Sequence, residues 1–277
     1  MKRAIRSMVP ESALHVARRA YRGVFKADHS AQARFAHTAA LQCTVSYNKY
    51  GGYCVPWSSR HRPAAQRVLA QEVYEPQTIE FMCAHCADGD IIHAGTFFGD
   101  FLPALSRAVA RGSRILAFEP NMENYRCARI TVEINACANI MLGNAALGAG
   151  AEELQLRTVD SEGTPLGGAS HIIDGGLTDM DHTQPVRVVT IDSTVEPGRP
   201  VSIIQLDVEG YEKEALSGAL ETIRRCHPIL ILEVWTHSRL LDSSWFRENI
   251  LSLGYRHTLR LHGNMVFEFA GRVDAAA

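Results

Sequence analysis

From Asp90 onward, short apolar runs alternate with helical patterns, and this rhythm continues for most of the chain. Residues 202–208, for example, are predicted to form a buried strand with Asp207 near its end, and a helical pattern follows over residues 210–225. Residues 139–146 are predicted to form a further strand. Strands that alternate with helices build a mainly parallel sheet with helices on both faces. The sequence therefore predicts an α/β fold. Residues 255–262 and 265–270, which flank a Gly-Asn turn, predict an antiparallel hairpin at its end.

The first part of the chain has a different pattern. Helical spacing runs through residues 11–35, and two short strand-like pieces flank Gly51-Gly52. We predict that residues 1–85 form a mostly helical extension that acts as a lid, and that the α/β domain covers residues 86–277.

Composition limits the range of functions. The formal net charge is -2, which predicts no nucleic-acid-binding surface. Residues 1–34 nevertheless carry eight Lys or Arg against two acids. This charge favours a solvated basic helix, with contact to an anionic membrane surface as the alternative. No apolar run is long enough to cross a bilayer. Seven cysteines, an odd number without tight spacing, predict reduced thiols and a cytoplasmic location.

The clearest candidate for a ligand cradle is DIIHAGTFFGD, residues 90–100. A strand, a glycine turn at Gly95 and Gly99, and then a helix form the usual cradle of an open α/β sheet. Glycine there lets the backbone approach a ligand, although a tight turn alone also requires it. The next strand ends in Glu119, about twenty residues on, where a carboxylate can hold both hydroxyls of a ribose. The alternative role of Glu119 is to cap the helix that begins at Pro120-Asn121.

Other polar residues follow predicted strands. Asn144 can read an adenine edge or serve as a turn residue. In QLDVEGYE, alternation puts Asp207 and Glu209 on one side with Val208 opposite, so one acid can have a raised pKa and act as a general base. Helix capping is the alternative for both acids. His237 is a further acid or base candidate.

Together these segments resemble a known family. The order IIHAGTFFGDF, ILAFEPNMENY, GNAALG, VVTID, IIQLDVEGYEKEALSGA and PILILEVW is similar to that of the FkbM-type S-adenosylmethionine-dependent methyltransferases. The resemblance implies the class I methyltransferase fold, which is a Rossmann-like, mainly parallel seven-stranded sheet whose last strand is antiparallel. It also implies an O-methyltransferase acting on sugars, polysaccharides or polyketide-type natural products.

The resemblance also implies roles for single residues. The cofactor would be S-adenosylmethionine, which leaves as S-adenosylhomocysteine, and its expected contacts are His93, Gly95, Thr96, Gly99, Glu119, Pro120, Asn121, Asn144 and Ala145. Among the catalytic candidates, Asp207 is expected to be the general base, with Glu209 or His237 second. No metal is predicted, although a divalent ion on the two acids is an alternative. The long polar loop 160–184 is expected to shape the acceptor pocket.

One residue departs from the family pattern. The family begins its glycine turn with an acid, and this chain has His93, which cannot offer the same charge to the methionine end of the cofactor. Asp90 or Asp100 are the acids that can compensate. The substitution leaves a non-catalytic cofactor-binding module as an alternative. An NAD-dependent oxidoreductase is a further alternative, but the turn lacks the G-x-G-x-x-G pattern of that class.

Overall fold

The computed structural model describes residues 40–173, 182–235 and 238–273. The predicted helix at 11–35 and the candidate base His237 lie outside the described residues. The strands are β1 (Cys43–Asn48), β2 (Gly51–Pro56), β3 (Asp90–Ala94), β4 (Ile115–Phe118), β5 (Ile140–Gly143), β6 (Ala146–Leu147), β7 (Glu152–Arg157), β8 (His171–Ile173), β9 (Thr183–Val189), β10 (Val201–Leu206), β11 (Ile229–Glu233), β12 (Tyr255–Leu261) and β13 (Asn264–Phe269). The helices are α1 (Pro63–Leu69), α2 (Pro76–His85), α3 (Leu102–Ala108), α4 (Met122–Ile134), α5 (Ile191–Thr194), α6 (Glu212–Ser217), α7 (Leu220–Cys226), α8 (Ser244–Asn249) and α9 (Ala270–Val273).

A seven-stranded sheet organises the molecule, with the order β12-β13-β11-β10-β3-β4-β5. The five strands from β11 to β5 are parallel, and β13 pairs antiparallel with both β11 and β12. This arrangement confirms the predicted mainly parallel sheet with its terminal hairpin.

Apolar side chains cover both faces of this sheet. Ile91 and Ile92 are adjacent in β3 but belong to different core clusters, because successive side chains of a strand point to opposite faces. One cluster contains Leu216 and Phe246 from the helices on one face, and the other contains Leu105 of α3. Burial on two sides explains why the central strands read as continuous apolar runs instead of alternating ones.

The described part of the extension combines β1 and β2 with α1 and α2. The two strands form an antiparallel hairpin, as the strand-like pieces around Gly51 predicted, but its turn is Lys49-Tyr50, and Gly51-Gly52 begins β2. Gly51 has φ +140, and a Cβ there would lie 2.0 Å from Asn135 Oδ1, which follows α4 and accepts from Gly52 N. Glycine at position 51 is therefore needed for the hairpin to pack against the end of α4 as well as for the turn. The predicted boundary at residue 85 stays a prediction.

Three local predictions were wrong. The predicted strand 139–146 is two strands, because β6 leaves the main sheet and pairs with β9 in a separate four-stranded sheet, β6-β9-β7-β8. The predicted loop 160–184 contains β8 and the start of β9. The predicted helix 210–225 is two helices, α6 and α7. Between them, Asp192 N donates a hydrogen bond to the carbonyl oxygen of Gly218, and the Asp192 carboxylate accepts from the N–H groups of Glu221 and Thr222. These hydrogen bonds to Asp192 replace the backbone hydrogen bonds that a continuous helix would make at this point.

No helix within residues 40–173, 182–235 and 238–273 is long and apolar enough to cross a membrane. All seven cysteines are in the described part of the chain and are free thiols.

Candidate active site

The carboxyl ends of four parallel strands meet at one edge of the main sheet, which is where open α/β folds bind ligands. β3 is followed by Gly95, β4 by Glu119 and β10 by Asp207, and β11 ends in Glu233. Two connected cavities open at this edge.

The first cavity, called the apolar slot here, has about 450 Å³ of empty space and mostly apolar walls. Its polar groups are few, and Glu119 is the most buried of its two carboxyl groups, at 4% exposure. The slot is lined by Ala94, Gly95, Phe118, Glu119, Pro120, Ala145, Ala146, Leu147, Leu156, Gly168, Ser170, Ile172, Asp207, Val208 and Tyr211. Mostly apolar walls with two carboxyl groups suit a nucleoside, whose base is apolar on its faces and whose ribose offers hydroxyl donors.

The second cavity, called the acidic chamber here, has about 820 Å³ of empty space and adjoins the slot at Gly95, Gly168 and Asp207. Five carboxyl groups and one guanidinium line it. These groups are Glu75, Asp100, Asp207, Glu209, Glu233 and Arg62. Such a surplus of carboxyl groups favours ligands that donate hydrogen bonds or carry positive charge.

Gly95 is required by a close approach within the protein. Its φ is +81, and a Cβ on Gly95 would lie 1.9 Å from the carbonyl oxygen of Asp207. The turn after β3 and the end of β10 are therefore pressed together, and the glycine positions Asp207. The same glycine faces both cavities, so its predicted contact with a cofactor fits its place.

Glu119 holds the turn and the next helix with the same carboxylate. Its Oε2 accepts from Phe97 N at 2.7 Å, and its Oε1 accepts from Asn121 N at 2.9 Å and Asn124 Nδ2 at 3.3 Å. Burial raises the pKa of Glu119 to about 8, against these hydrogen bonds. A carboxylate can accept about four bonds, so Oε2 retains capacity for a ligand hydroxyl. Both predicted roles of Glu119, the helix cap and the ribose contact, are compatible with this geometry.

His93 is a buried, neutral side chain at the wall of the chamber. It is 2% exposed and stacks on Phe101 with ring centroids 5.3 Å apart. Its Nδ1 donates to Gln205 Oε1 at 2.5 Å, so Nε2 keeps its lone pair and has no hydrogen-bond partner among the described residues. Burial lowers the pKa of His93 to about 4. The position that carries an acid in the family thus carries a neutral acceptor here.

Of the two acids that could compensate for His93, only Asp100 lies at the site. Asp90 is at the opposite end of β3, where Oδ2 accepts from Arg199 Nε at 2.6 Å and Oδ1 from Arg114 N at 2.8 Å. Asp100 lines the chamber, and burial, with the charge of Glu75 as a second cause, raises its pKa to about 7. Compensation by Asp90 was therefore a wrong expectation.

Asp207 and Glu233 both line the chamber, and the Glu233 carboxyl group acts on the pKa of Asp207. Burial is the main cause that raises the pKa of Asp207 well above its ordinary value, followed by the hydrogen bond and the charge of Glu233. Burial also raises the pKa of Glu209 to about 7, and Trp235 Nε1 donates to Glu209 Oε2 at 3.0 Å. The predicted rise in pKa at this edge is present, but the main partner of Asp207 is Glu233, not Glu209.

The backbone after β10 differs from the predicted alternation. The strand ends at Leu206, and Glu209 has a positive φ of +54, which is rare outside glycine. Asp207 and Glu209 still line the same chamber, and Val208 lines the slot. The loop conformation places these side chains, because the strand has already ended.

The remaining predicted cofactor residues differ in position. Pro120 and Ala145 line the slot, whereas Thr96, Gly99 and Asn144 line neither the slot nor the chamber. Both N–H bonds of the Asn144 amide go to the backbone, at 2.9 Å from Glu119 O and 3.0 Å from Pro120 O. These three residues support the turns, and their contact with a cofactor stays a prediction.

Asn121 caps α4, as expected. Its side chain accepts from Glu123 N and Asn124 N, while its Nδ2 donates to Ser170 Oγ at 3.0 Å. Ser170 belongs to the predicted loop 160–184, and that segment covers the slot with Gly168, Ser170 and Ile172. The expectation that this segment shapes a pocket therefore fits its position.

Several chamber residues were missed from the sequence. Glu75, Arg62 and Tyr74 come from the extension, far from the strand ends along the chain. The unusual Tyr-Glu-Pro sequence before α2 was the only available signal, and Glu75 has a left-handed φ of +46 there. Within the described residues, no cluster of three or more His, Cys, Asp or Glu side chains is placed to hold a metal ion.

No curated protein sequence matches the chain. Similar solved structures include the FkbM methyltransferase of Methylobacillus flagellatus KT, with 18% identity, 66% of this chain and 44% of that chain covered, and a TM-score of 0.45. A S-adenosylmethionine-dependent O-methyltransferase of Thermotoga maritima has 14% identity, coverage of 81% and 76%, and a TM-score of 0.42.

A third similar structure is the tRNA (uracil-54, C5)-methyltransferase of Pyrococcus abyssi in complex with S-adenosylhomocysteine. It has 11% identity, coverage of 83% of this chain and 44% of that chain, and a TM-score of 0.41. This chain thus spans less than half the length of the first and third of these proteins. Scores of this size carry no conclusion about function.

The sequence profile of the FkbM methyltransferase domain matches residues 93–256, which is more than half of the chain. The match covers the glycine turn, Glu119 and the segment with Asp207, which are the residues on which the resemblance rested. The chain therefore belongs to the FkbM family of S-adenosylmethionine-dependent methyltransferases.

Proposed function

We propose that this protein transfers a methyl group from S-adenosylmethionine to a hydroxyl group of a sugar, a polysaccharide or a polyketide-type natural product. The observation that carries the proposal is the position of Asp207. This carboxyl group lies where the apolar slot and the acidic chamber meet, so it borders a nucleoside on one side and an acceptor on the other.

The residues around the slot fit the cofactor. Glu119 has acceptor capacity for ribose hydroxyls, and the apolar walls suit an adenine ring. When bound, the cofactor supplies a methyl group on a positively charged sulfur. The protein therefore has to align the acceptor, exclude water and remove one proton.

Asp207 is the proposed general base. A hydroxyl oxygen becomes a better nucleophile as its proton passes to a carboxylate within hydrogen-bond reach. Glu209 lines the same chamber and is the second candidate, while His237 stays a prediction outside the described residues. Arg62 and Tyr74 come from the extension, which supports its predicted role in enclosing the acceptor.

Calorimetry with S-adenosylhomocysteine and with NAD tests the cofactor assignment. We expect S-adenosylhomocysteine to bind and NAD not to bind. Measured above pH 8, where Glu119 is ionised, Glu119→Gln is expected to weaken the binding of S-adenosylhomocysteine about 10- to 100-fold, because hydrogen bonds to a charged group contribute about 1.5–3 kcal/mol. Glu123→Gln is the matched control, since Glu123 is near the start of α4 and lines neither the slot nor the chamber.

Two other outcomes would contradict the proposal. Binding of NAD without S-adenosylhomocysteine would favour an oxidoreductase. Binding of S-adenosylhomocysteine, with no transfer of labelled methyl to any hydroxyl compound, would favour the non-catalytic module that His93 left as an alternative.

The pH dependence of turnover tests the role of Asp207 and the effect of Glu233 on its pKa. Because the pKa of Asp207 is raised well above its ordinary value, its base form is scarce at low pH, and kcat/KM should rise with pH at values above the ordinary titration range of an aspartate. Glu233→Gln removes a like charge that acts on Asp207, so the rise should move down by about one pH unit or more. Glu221→Gln, an exposed acid on α7, should leave the profile unchanged. A Glu233→Gln profile that coincides with the wild type would show that Asp207 does not control the rate.

A further inference from the structure

The negative charge of the acidic chamber exceeds what the cofactor alone neutralises. With every carboxyl ionised, the walls carry four more negative than positive charges, from five acids and Arg62. The methionine end of S-adenosylmethionine has a sulfonium and an ammonium, but also a carboxylate, so it brings little net positive charge. Carboxylates that are partly removed from water need counter-charges, or they take up protons.

His93 gives a second and independent sign of a missing donor. Its ring is 2% exposed and lines the chamber, and Nε2 has no partner among the described residues. A buried nitrogen lone pair without a partner is costly, so the chamber is built to receive N–H or O–H donors.

The chemical class of the acceptor follows from these two observations. Hydroxyl groups of a neutral sugar donate hydrogen bonds to carboxylates but bring no charge, whereas an ammonium brings three donors and one positive charge. We propose that the methyl acceptor carries a protonated amine beside the hydroxyl group that is methylated, and that the chamber carboxylates bind this amine. This inference rests on the proposed function.

The positions of the acids suggest an orientation for such an acceptor. Asp207 lies at the junction with the slot, where the hydroxyl must be, and Glu233 lines the chamber. Glu75 and Asp100 come from the start of α2 and the end of the glycine turn, and the charge of Glu75 acts on Asp100. Glu75 Oε2 is already held by Thr78 Oγ1 at 3.0 Å and Asn264 Nδ2 at 2.7 Å, which fixes its carboxylate at the wall. The amine is expected between Glu75 and Asp100.

Proton release distinguishes an amine from a neutral acceptor. Burial raises the pKa of Asp100 and of Glu209 to about 7, so both are partly protonated near neutral pH. An ammonium beside them lowers these pKa values and expels protons. Burial also raises the pKa of Glu75 and of Asp207, so an ammonium would expel protons from these carboxyl groups in the same direction. Tyr74 and His93 keep their state, because burial raises the pKa of Tyr74 to about 12 and His93 is already neutral.

The test is calorimetry on the full chain saturated with S-adenosylhomocysteine, so that the cofactor site is filled. The probes are matched pairs that differ in an amine or a hydroxyl, namely 6-amino-6-deoxyglucose with glucose and ethanolamine with ethylene glycol. We expect at least one amine to bind about tenfold tighter than its partner. In buffers of different ionisation enthalpy, its binding should release about half a proton or more.

Glu75→Gln should remove most of the preference for the amine while S-adenosylhomocysteine still binds. Asp100→Asn serves if Glu75→Gln does not fold, and Glu221→Gln, an exposed acid that lines none of the cavities, is the control. Equal binding of amine and partner in both pairs, binding of neither, or a preference that survives both chamber variants would overturn the inference. Failure of S-adenosylhomocysteine to bind would instead overturn the proposed function.

Discussion

Asp207→Asn is expected to lower kcat for methyl transfer about 100- to 10,000-fold, the range that general-base catalysis supplies. Asparagine has nearly the same shape and can still hydrogen-bond to Glu233, but its amide cannot take a proton from the acceptor. The measurement is single-turnover transfer of labelled methyl with saturating cofactor, so that chemistry is separated from binding.

The affinity of Asp207→Asn for S-adenosylhomocysteine is the control. This product has no sulfonium charge, so removal of one carboxylate should change its dissociation constant less than about threefold. Glu209→Gln should lose less activity than Asp207→Asn, because Glu209 lines only the chamber. Equal rates for Asp207→Asn and the wild type would reject Asp207 as the base, and a larger loss in Glu209→Gln would transfer the role to Glu209.

Gly95→Ala is expected to abolish turnover and to lower the free energy of unfolding by about 2–5 kcal/mol, the sum of backbone strain and overpacking. The strain follows from φ +81, and the overpacking from a Cβ placed 1.9 Å from Asp207 O. Either the turn or the end of β10 must move, and both movements displace Asp207. Denaturant unfolding and the rate of methyl transfer measure the two effects.

Gly112→Ala is the matched control for Gly95→Ala. Gly112 also has a positive φ, +96, but its Cβ would meet nothing within 4 Å. It should therefore lose only about 1–2 kcal/mol of stability, through backbone strain, and keep its activity. If both variants lost the same stability and both stayed active, the contact between Gly95 and Asp207 would not be what positions the base.

The site shows how far sequence reasoning reaches. Gly95, Glu119 and Asp207 were all identified as candidates. Each follows a strand that can be recognised in the sequence from its apolar run, and the carboxyl ends of parallel strands lie at the same edge of the sheet. The residues with which they interact could not be predicted from the sequence. Asp207 was paired with its neighbour Glu209, whereas the structure pairs it with Glu233, from a strand that lies beside β10 in the sheet.

His93 illustrates the same limit. The sequence showed that an acid was replaced, and Asp90 was offered as one compensating acid because it is close along the chain. A strand separates its ends in space, however, and Asp90 is bound to Arg199 at the opposite edge. Whether His93 is neutral depends on burial and on Gln205, which is its register partner in β10.

By itself, the sequence determined the sheet, its antiparallel hairpin, and the strand ends that supply a site, because hydrophobic periodicity and glycine turns are local properties of the chain. Only the tertiary structure decided the charge of the chamber, the pairing of Asp207 with Glu233, the small second sheet and the break at Gly218. Each of these depends on contacts between segments that are distant in sequence, and no local pattern encodes their distance or burial.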